Sequence, residues 1–192
     1  MIPRRSALLL LPALAACAGG PPRQDPVQLP ASADAGFTDP TRSAILSASY
    51  VFATPASIAG DAAAGAEALG RLEYLAVELD VGPRWIGMDP LVPLALAQGR
   101  AEARAAFGID PAVSPQRAMD GLYGAAAALR AGDRGRAVAA LAPLTGPDRA
   151  EQTLARLAAF PTLPVATRAL AQARAGMNRM DRDNDRPRSW RM

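Results

Sequence analysis

Proline stands at the borders of alanine-rich segments along most of this chain. It follows Asp39, Thr54, Gly82, Ser114 and Gly146. Asp and Ser are favoured caps for the start of a helix, and proline is accepted in the first turn because the nitrogens there have no intrahelical partner. Alanine, the strongest helix former, dominates the apolar residues between these points. The pattern predicts an all-α protein.

Apolar residues recur at helical spacing within these segments. The periodicity places Leu69 and Leu79 on one stripe, and Leu94, Ala101 and Ala105 on another. Aromatic residues make up only 5% of the chain, so the core must be filled by closely spaced small side chains. We therefore expect a compact bundle of about six short helices with alanine-rich packing, following a disordered N-terminal tether.

The only cysteine, Cys17, follows a short apolar run. The basic start "MIPRR" precedes "SALLLLPALAA", which is far shorter than the roughly 18–20 residues needed to span a bilayer. This order is typical of a secretory signal peptide, here residues 1–16. Leu14, Ala15, Ala16 and Cys17 resemble the lipobox of bacterial lipoproteins, in which an aliphatic residue and two small residues precede the modified cysteine.

The lipobox resemblance implies that Cys17 receives a diacylglyceryl thioether and, after cleavage, an acyl chain such as palmitate on its amino group. Lipoproteins kept in the inner membrane tend to carry Asp at the next position, so Ala18 implies the outer membrane, facing the periplasm. Arg4 and Arg5 fit a twin-arginine export signal poorly, and we favour the general secretory route. The alternative is an incidental cysteine near an ordinary cleavage site.

Composition divides the rest of the chain into three parts. Residues 17–37 join the lipidated cysteine to a stretch rich in Pro, Gly, Ser and Asp, which is typical of a tether. Stretched in polyproline form, residues 18–35 would reach about 50 Å. Residues 38–180 form the helical domain, and the polar residues 181–192 predict a flexible tail.

Residues 115–142 predict two helices joined by a tight turn. Ala125, Gly132 and Ala137 give this segment a resemblance to one tetratricopeptide-type helical hairpin. Pro143 departs from that pattern, because it should cut the second helix short, and the large aromatic positions are filled by alanine. No second copy occurs at the expected period, so an ordinary helical hairpin is the preferred interpretation.

The chain lacks much of the usual catalytic inventory. It has no His, one Cys and only Arg among its basic residues, and it has no P-loop, dinucleotide-binding glycine pattern or nucleophile elbow. A hydrolase using two carboxylates from Glu67, Glu73, Glu78 and Asp80 is a third hypothesis, although these residues fit the polar face of a helix. We expect no enzyme activity, no cofactor and no metal.

Two further partners are disfavoured. Asp181, Asp183 and Asp185 have the spacing that opens a calcium loop, but Arg186 stands where that loop needs glycine. The chain has 21 basic and 18 acidic residues. Removal of the signal peptide takes two of the arginines, so the remaining charge is close to neutral and gives no electrostatic footprint for nucleic acid.

These observations favour a non-enzymatic outer-membrane lipoprotein whose helical domain contacts another envelope protein. The candidate contact surface is the loop with Trp85 and Ile86, together with the hairpin around Tyr123. For Trp85 the competing interpretation is a plug for one end of the core, because tryptophan buries so much area. The alternative function is a periplasmic module that holds a small apolar ligand between helices.

Overall fold

A computed structural model of the chain describes residues 24–34 and 39–185, in which every regular element is helical. The α-helices are α1 (Ala31–Asp34), α2 (Pro40–Ala53), α3 (Ala62–Val81), α4 (Leu91–Phe107), α5 (Pro115–Arg130), α6 (Arg134–Thr145), α7 (Pro147–Ala158) and α8 (Pro164–Asp185). Two 3-10 turns, Pro55–Ile58 and Pro83–Trp85, precede α3 and α4. The prediction of an all-α protein is confirmed, with seven full-length helices and the single turn α1 in place of about six. Within the described ranges, no helix is long and apolar enough to cross a membrane.

The prolines at the borders of the alanine-rich segments lie at the starts of helices. A carboxylate oxygen of Asp39 accepts a hydrogen bond from the backbone N–H of Arg42 at 3.2 Å, and proline occupies the first turn of α2. The hydroxyl of Ser114 caps α5 in the same way, accepting from the N–H of Arg117 at 3.4 Å. These bonds satisfy donors that have no partner within the helix.

The hairpin predicted over 115–142 is formed by α5 and α6. The connection turns at Gly132, whose φ of +75° lies in the left-handed region that glycine adopts without steric cost. Asp133 then caps α6 by accepting from the N–H of Arg136 at 2.8 Å. Pro143 lies inside α6 and does not end it at once, because the helix continues to Thr145.

Helix α3 is the centre of the bundle. It packs against α2, α4, α5 and α7, while α8 closes the structure against α2 and α4. The predicted stripe of α3 is buried, since Leu69 and Leu79 both lie in the core. The buried face is much wider than a stripe, however, and it includes the charged residue Glu73.

The predicted stripe of α4 is wrong. Leu94, Ala101 and Ala105 are exposed, and the buried face runs instead along Val92, Leu96, Gly99, Ala103 and Phe107. Apolar residues cover both sides of this helix, so spacing alone did not distinguish them. Contact with α8 decides the orientation, because a Cβ on Gly99 would lie 2.7 Å from the Cα of Ala166.

Part of the predicted tether is packed against the bundle. Val27 is buried, and the Gln28 backbone pairs with the side-chain amide of Gln116 through two hydrogen bonds of 2.8 and 3.2 Å. The side chain of Gln24 accepts from the guanidinium of Arg100 at 2.9 Å. We call residues 24–34 the N-terminal strap. Residues 24–34 therefore do not form the extended spacer that was predicted for residues 17–37.

The C-terminal boundary also differs from the prediction. The expected flexible tail begins at residue 181, but α8 continues to Asp185. Asp181 is paired with Arg42 at the start of α2, which ties the end of α8 to the bundle. Asp181, Asp183 and Asp185 are therefore helical and do not form a calcium loop, and the described residues contain no cluster of potential metal ligands.

Candidate functional site

The three residues predicted as a contact surface lie in different environments. Trp85 is 4% exposed and Tyr123 is 7% exposed, whereas Ile86 is 85% exposed. The contact-surface prediction for Trp85 and Tyr123 is thus corrected, since both rings fill gaps in an aromatic-poor core. Tyr123 packs against α3, and a Cβ on Gly70 would lie 2.9 Å from its ring. Trp85 is the plug that the competing interpretation described.

Two further exposed apolar residues follow Ile86 within eight positions of the chain. Leu91, the first residue of α4, is 65% exposed, and Leu94, one turn later, is 57% exposed. We call Ile86, Leu91 and Leu94 the apolar tip. Neither leucine was predicted as a contact residue, and Leu94 was assigned to the core stripe of α4.

Buried neighbours fix the position of the loop that carries Ile86. Its neighbours Trp85 and Met88 are both buried, and the Met88 side chain lies against Gly176 of α8. Gly87 faces Met180 on the same helix. Ile86 is therefore directed outward by buried residues on either side of it.

Ion pairs surround the apolar tip. Arg84 pairs with Asp39, Arg42 pairs with both Asp39 and Asp181, and Arg179 lies 3.9 Å from Asp89. The Arg42 guanidinium holds the pKa of the Asp181 carboxyl below its usual range. Positive and negative groups are balanced here, so the tip is apolar with a nearly neutral rim.

Glu78 lies beside this region at the end of α3. Partial burial raises the pKa of its carboxyl, and the indole of Trp85 and the charge of Arg84 oppose that rise. This carboxyl therefore responds to pH in the opposite direction from Asp181.

A buried ion pair lies between α3 and α4. Glu73 is fully buried, and both of its oxygens accept hydrogen bonds from Arg104, at 2.6 and 2.7 Å. The remaining guanidinium nitrogen of Arg104 donates to the carbonyls of Pro111 and Val113. Nearby, burial lowers the pKa of Arg100, which Glu73 partly offsets. The Glu73 carboxylate is fully committed to structure.

The other candidate carboxylates do not converge on a cleft with it. Glu67 pairs with Arg71 and with Arg130. Asp80 is exposed and accepts a long contact of 3.5 Å from Gln24. Glu67, Glu73 and Asp80 thus bond to different partners along α3, although the charges of Glu73 and Asp80 both act on Arg100.

A depression of about 540 Å³ lies between the start of α3, the α5–α6 turn and α7. Its walls are Leu129, Leu154 and several alanines, with Asp61, Arg130 and Arg134 at the surface. Its lining contains neither methionine nor tryptophan.

A second exposed apolar pair lies on α2. Leu46 is 50% exposed, and Tyr50, one turn later, is 60% exposed. The opposite side of this helix buries Ile45 and Phe52 in the core. We call Leu46 and Tyr50 the α2 face.

Leu14, Ala15, Ala16 and Cys17 lie outside the described residues. Comparison with known proteins finds no matching family, no similar curated protein and no similar solved structure.

Proposed function

We propose that this protein is a lipid-anchored lipoprotein of the bacterial envelope, attached through Cys17 to the periplasmic side of the outer membrane. The observation that carries the proposal is the order of residues 1–17: two arginines, a short apolar run, and Leu14-Ala15-Ala16 directly before the only cysteine. A thioether-linked lipid with an added acyl chain anchors a protein stably, because more than one chain is inserted.

The helical domain acts through binding and not through catalysis. Supporting this, Glu73 is committed to Arg104 and Glu67 is committed to Arg71 and Arg130. A pair of carboxylates working on a sugar or a similar substrate must instead face each other across a cleft. The four carboxylates of α3 are not arranged in that way.

The α2 face is the surface that we assign to a protein partner in the envelope. Leu46 and Tyr50 lie one helical turn apart and are both at least half exposed. Aromatic residues are enriched at protein interfaces, where they supply large contact areas. Anchoring raises the effective concentration of a membrane-bound partner, so a small contact suffices.

Replacement of the cysteine tests the anchor. We expect Cys17→Ser to abolish incorporation of labelled palmitate and to move the protein out of the membrane fraction. The matched variant Ala18→Asp keeps the cysteine, so it should still be labelled but should accumulate in the inner membrane. Unchanged fractionation of Cys17→Ser would contradict the proposal.

Site-specific crosslinking tests the protein partner. A photoreactive amino acid placed at Tyr50 should give one reproducible protein adduct in intact cell envelopes. The control position is Gln152, which is exposed on α7. Equal adducts from both positions, or none from Tyr50, would argue against the α2 face and favour the alternative, a module that binds a small apolar ligand.

A further inference from the structure

The N-terminal strap limits how far the folded domain can lie from a lipid attached at Cys17. Gln24 contacts Arg100 of α4 and Asp80 of α3, so the chain is already part of the bundle at this residue. Gln24 is seven positions after Cys17, and seven residue steps span at most about 25 Å. That is about the length of α4 itself, which has 17 residues.

The strap begins at the same end of the bundle as the apolar tip. Asp80 lies in the last turn of α3, directly before the loop that carries Ile86. Leu94 precedes Arg100 by six positions, or about 9 Å along α4. A domain held by a short connection from Gln24 therefore has the apolar tip close to the attachment point.

We infer that the apolar tip rests in the headgroup region of the bilayer to which Cys17 is anchored. This inference rests on the lipid anchor of the proposed function. Ile86, Leu91 and Leu94 supply the apolar contact, and the buried residues Trp85 and Met88 hold the loop in position. Apolar side chains on a membrane-proximal surface insert at the boundary between headgroups and acyl chains.

The charges around the tip indicate which lipid property it recognises. Arg84, Arg42 and Arg179 each face an aspartate, so the rim carries little net charge. Attraction to anionic lipids needs a cluster of unpaired basic residues. The tip therefore binds the bilayer through apolar contact, with no preference for anionic headgroups.

Photocrosslinking of the full chain in a bacterial host tests this inference. A photoreactive amino acid at Ile86 should form adducts with phospholipid, identified by mass spectrometry, whereas the same group at Gln152 should form none. Phosphatidylethanolamine and phosphatidylglycerol should appear in proportion to their abundance. Enrichment of the anionic lipid would overturn the apolar mode of contact.

The same samples separate this inference from the anchor. The mass of the N-terminal peptide reports whether Cys17 is lipidated. Lipidated protein that gives no lipid adduct at Ile86, or gives a protein adduct there, would overturn the inference and leave the anchor standing. Absence of lipid on Cys17 would overturn the proposed function and, with it, the inference.

A second variant shows whether the tip acts as one surface. With the photoreactive group at Leu94, the additional change Ile86→Glu should abolish the lipid adduct and leave lipidation of Cys17 unchanged. Because Ile86 is 85% exposed, this change does not disturb the core. Persistence of the adduct at Leu94 would show that Ile86 does not contribute to the contact.

Discussion

The two ends of α4 reverse the usual distribution of apolar and charged residues. Its first turn exposes Leu91 and Leu94, whereas its later part buries Arg104. The buried arginine has a compensating structure, since Glu73 and two carbonyls accept its donors. The exposed leucines have no comparable contact within the described part of the chain. Contacts within the fold thus account for the burial of Arg104, whereas no such contact accounts for the exposure of the two leucines.

Arg104 also fixes the connection that follows α4. Its bonds to the carbonyls of Pro111 and Val113, at 3.1 and 2.8 Å, hold the segment between α4 and α5 against α3. The strap reaches the start of α5 through Gln116. The buried ion pair therefore positions the helix end on which the strap is seated.

Breaking the buried pair should have the largest effect on stability. Arg104→Met leaves the fully buried Glu73 carboxylate without its cation, and removing one partner of such a pair costs about 3–5 kcal/mol. Urea unfolding followed by far-ultraviolet circular dichroism would measure the loss.

The double variant Glu73→Met with Arg104→Met is the control for that measurement. It removes both charges, so it should recover part of the stability that the single variant loses. A double variant as unstable as the single one would show that the carbonyl contacts of Arg104 outweigh its ion pair.

Gly99→Ala should have the next largest effect, because it tests the close contact between α4 and α8. The added methyl would lie 2.7 Å from the Cα of Ala166, and such overpacking costs about 1–3 kcal/mol. Gly135→Ala on the exposed side of α6 is the matched control, and it should raise stability by up to about 1 kcal/mol. Equal results for both glycines would mean that α4 and α8 can move apart freely.

The ion pairs near the apolar tip should make small contributions to stability that depend on pH. The pKa of Asp181 is lowered in the folded protein, so its contribution to stability is present above its unfolded pKa and is lost as pH falls through the folded value. Asp181→Asn should therefore flatten the loss of stability below about pH 4.

Glu78→Gln is the counterpart with the opposite sign. The raised pKa of Glu78 means that the folded state loses stability as pH rises through that pKa, and the glutamine variant should lack this decline. Thermal unfolding between about pH 3 and pH 6 would compare both variants with the unchanged protein. For each variant, the difference in stability from the unchanged protein is plotted against pH. Slopes of the same sign for the two variants would contradict the environments described for these carboxyls.

The smallest effect on stability is expected at the apolar tip. The pair Leu91→Gln and Leu94→Gln should change the free energy of unfolding by less than about 0.5 kcal/mol, because both side chains are already more than half exposed. Urea unfolding of the Cys17→Ser form avoids any contribution from lipid. A large loss would mean that these leucines support the fold.

Much of the helical pattern could be predicted from sequence, because caps and prolines are local signals. Asp39 and Ser114 mark helix starts correctly, and the turn at Gly132 follows from its backbone freedom. The buried face of α4 could not be predicted in the same way, because Leu94 and Leu96 lie on two different apolar faces. The large side chain of Phe107 lies on the same face of α4 as Leu96 and Gly99. It was the one signal in the sequence that could have indicated this face as the buried one.

Less of the candidate site than of the fold could be predicted from the sequence. Of the three residues predicted as a contact surface, only Ile86 is exposed, whereas Trp85 and Tyr123 are core residues. Burial of Glu73 depends on an arginine 31 positions later, and nothing in the local pattern around Glu73 indicates that partner. The strap was missed because its composition is that of a linker, and its docking depends on side-chain pairing with Gln116.

The docked strap also determines where mechanical tension would enter this protein. Pulling on an anchored N-terminus would act first on the bonds of Gln24 and Gln28 to α4 and α5, before it reached Asp39 and α2. Movement of the membrane would thus reach α4 and α5 before it reached α2.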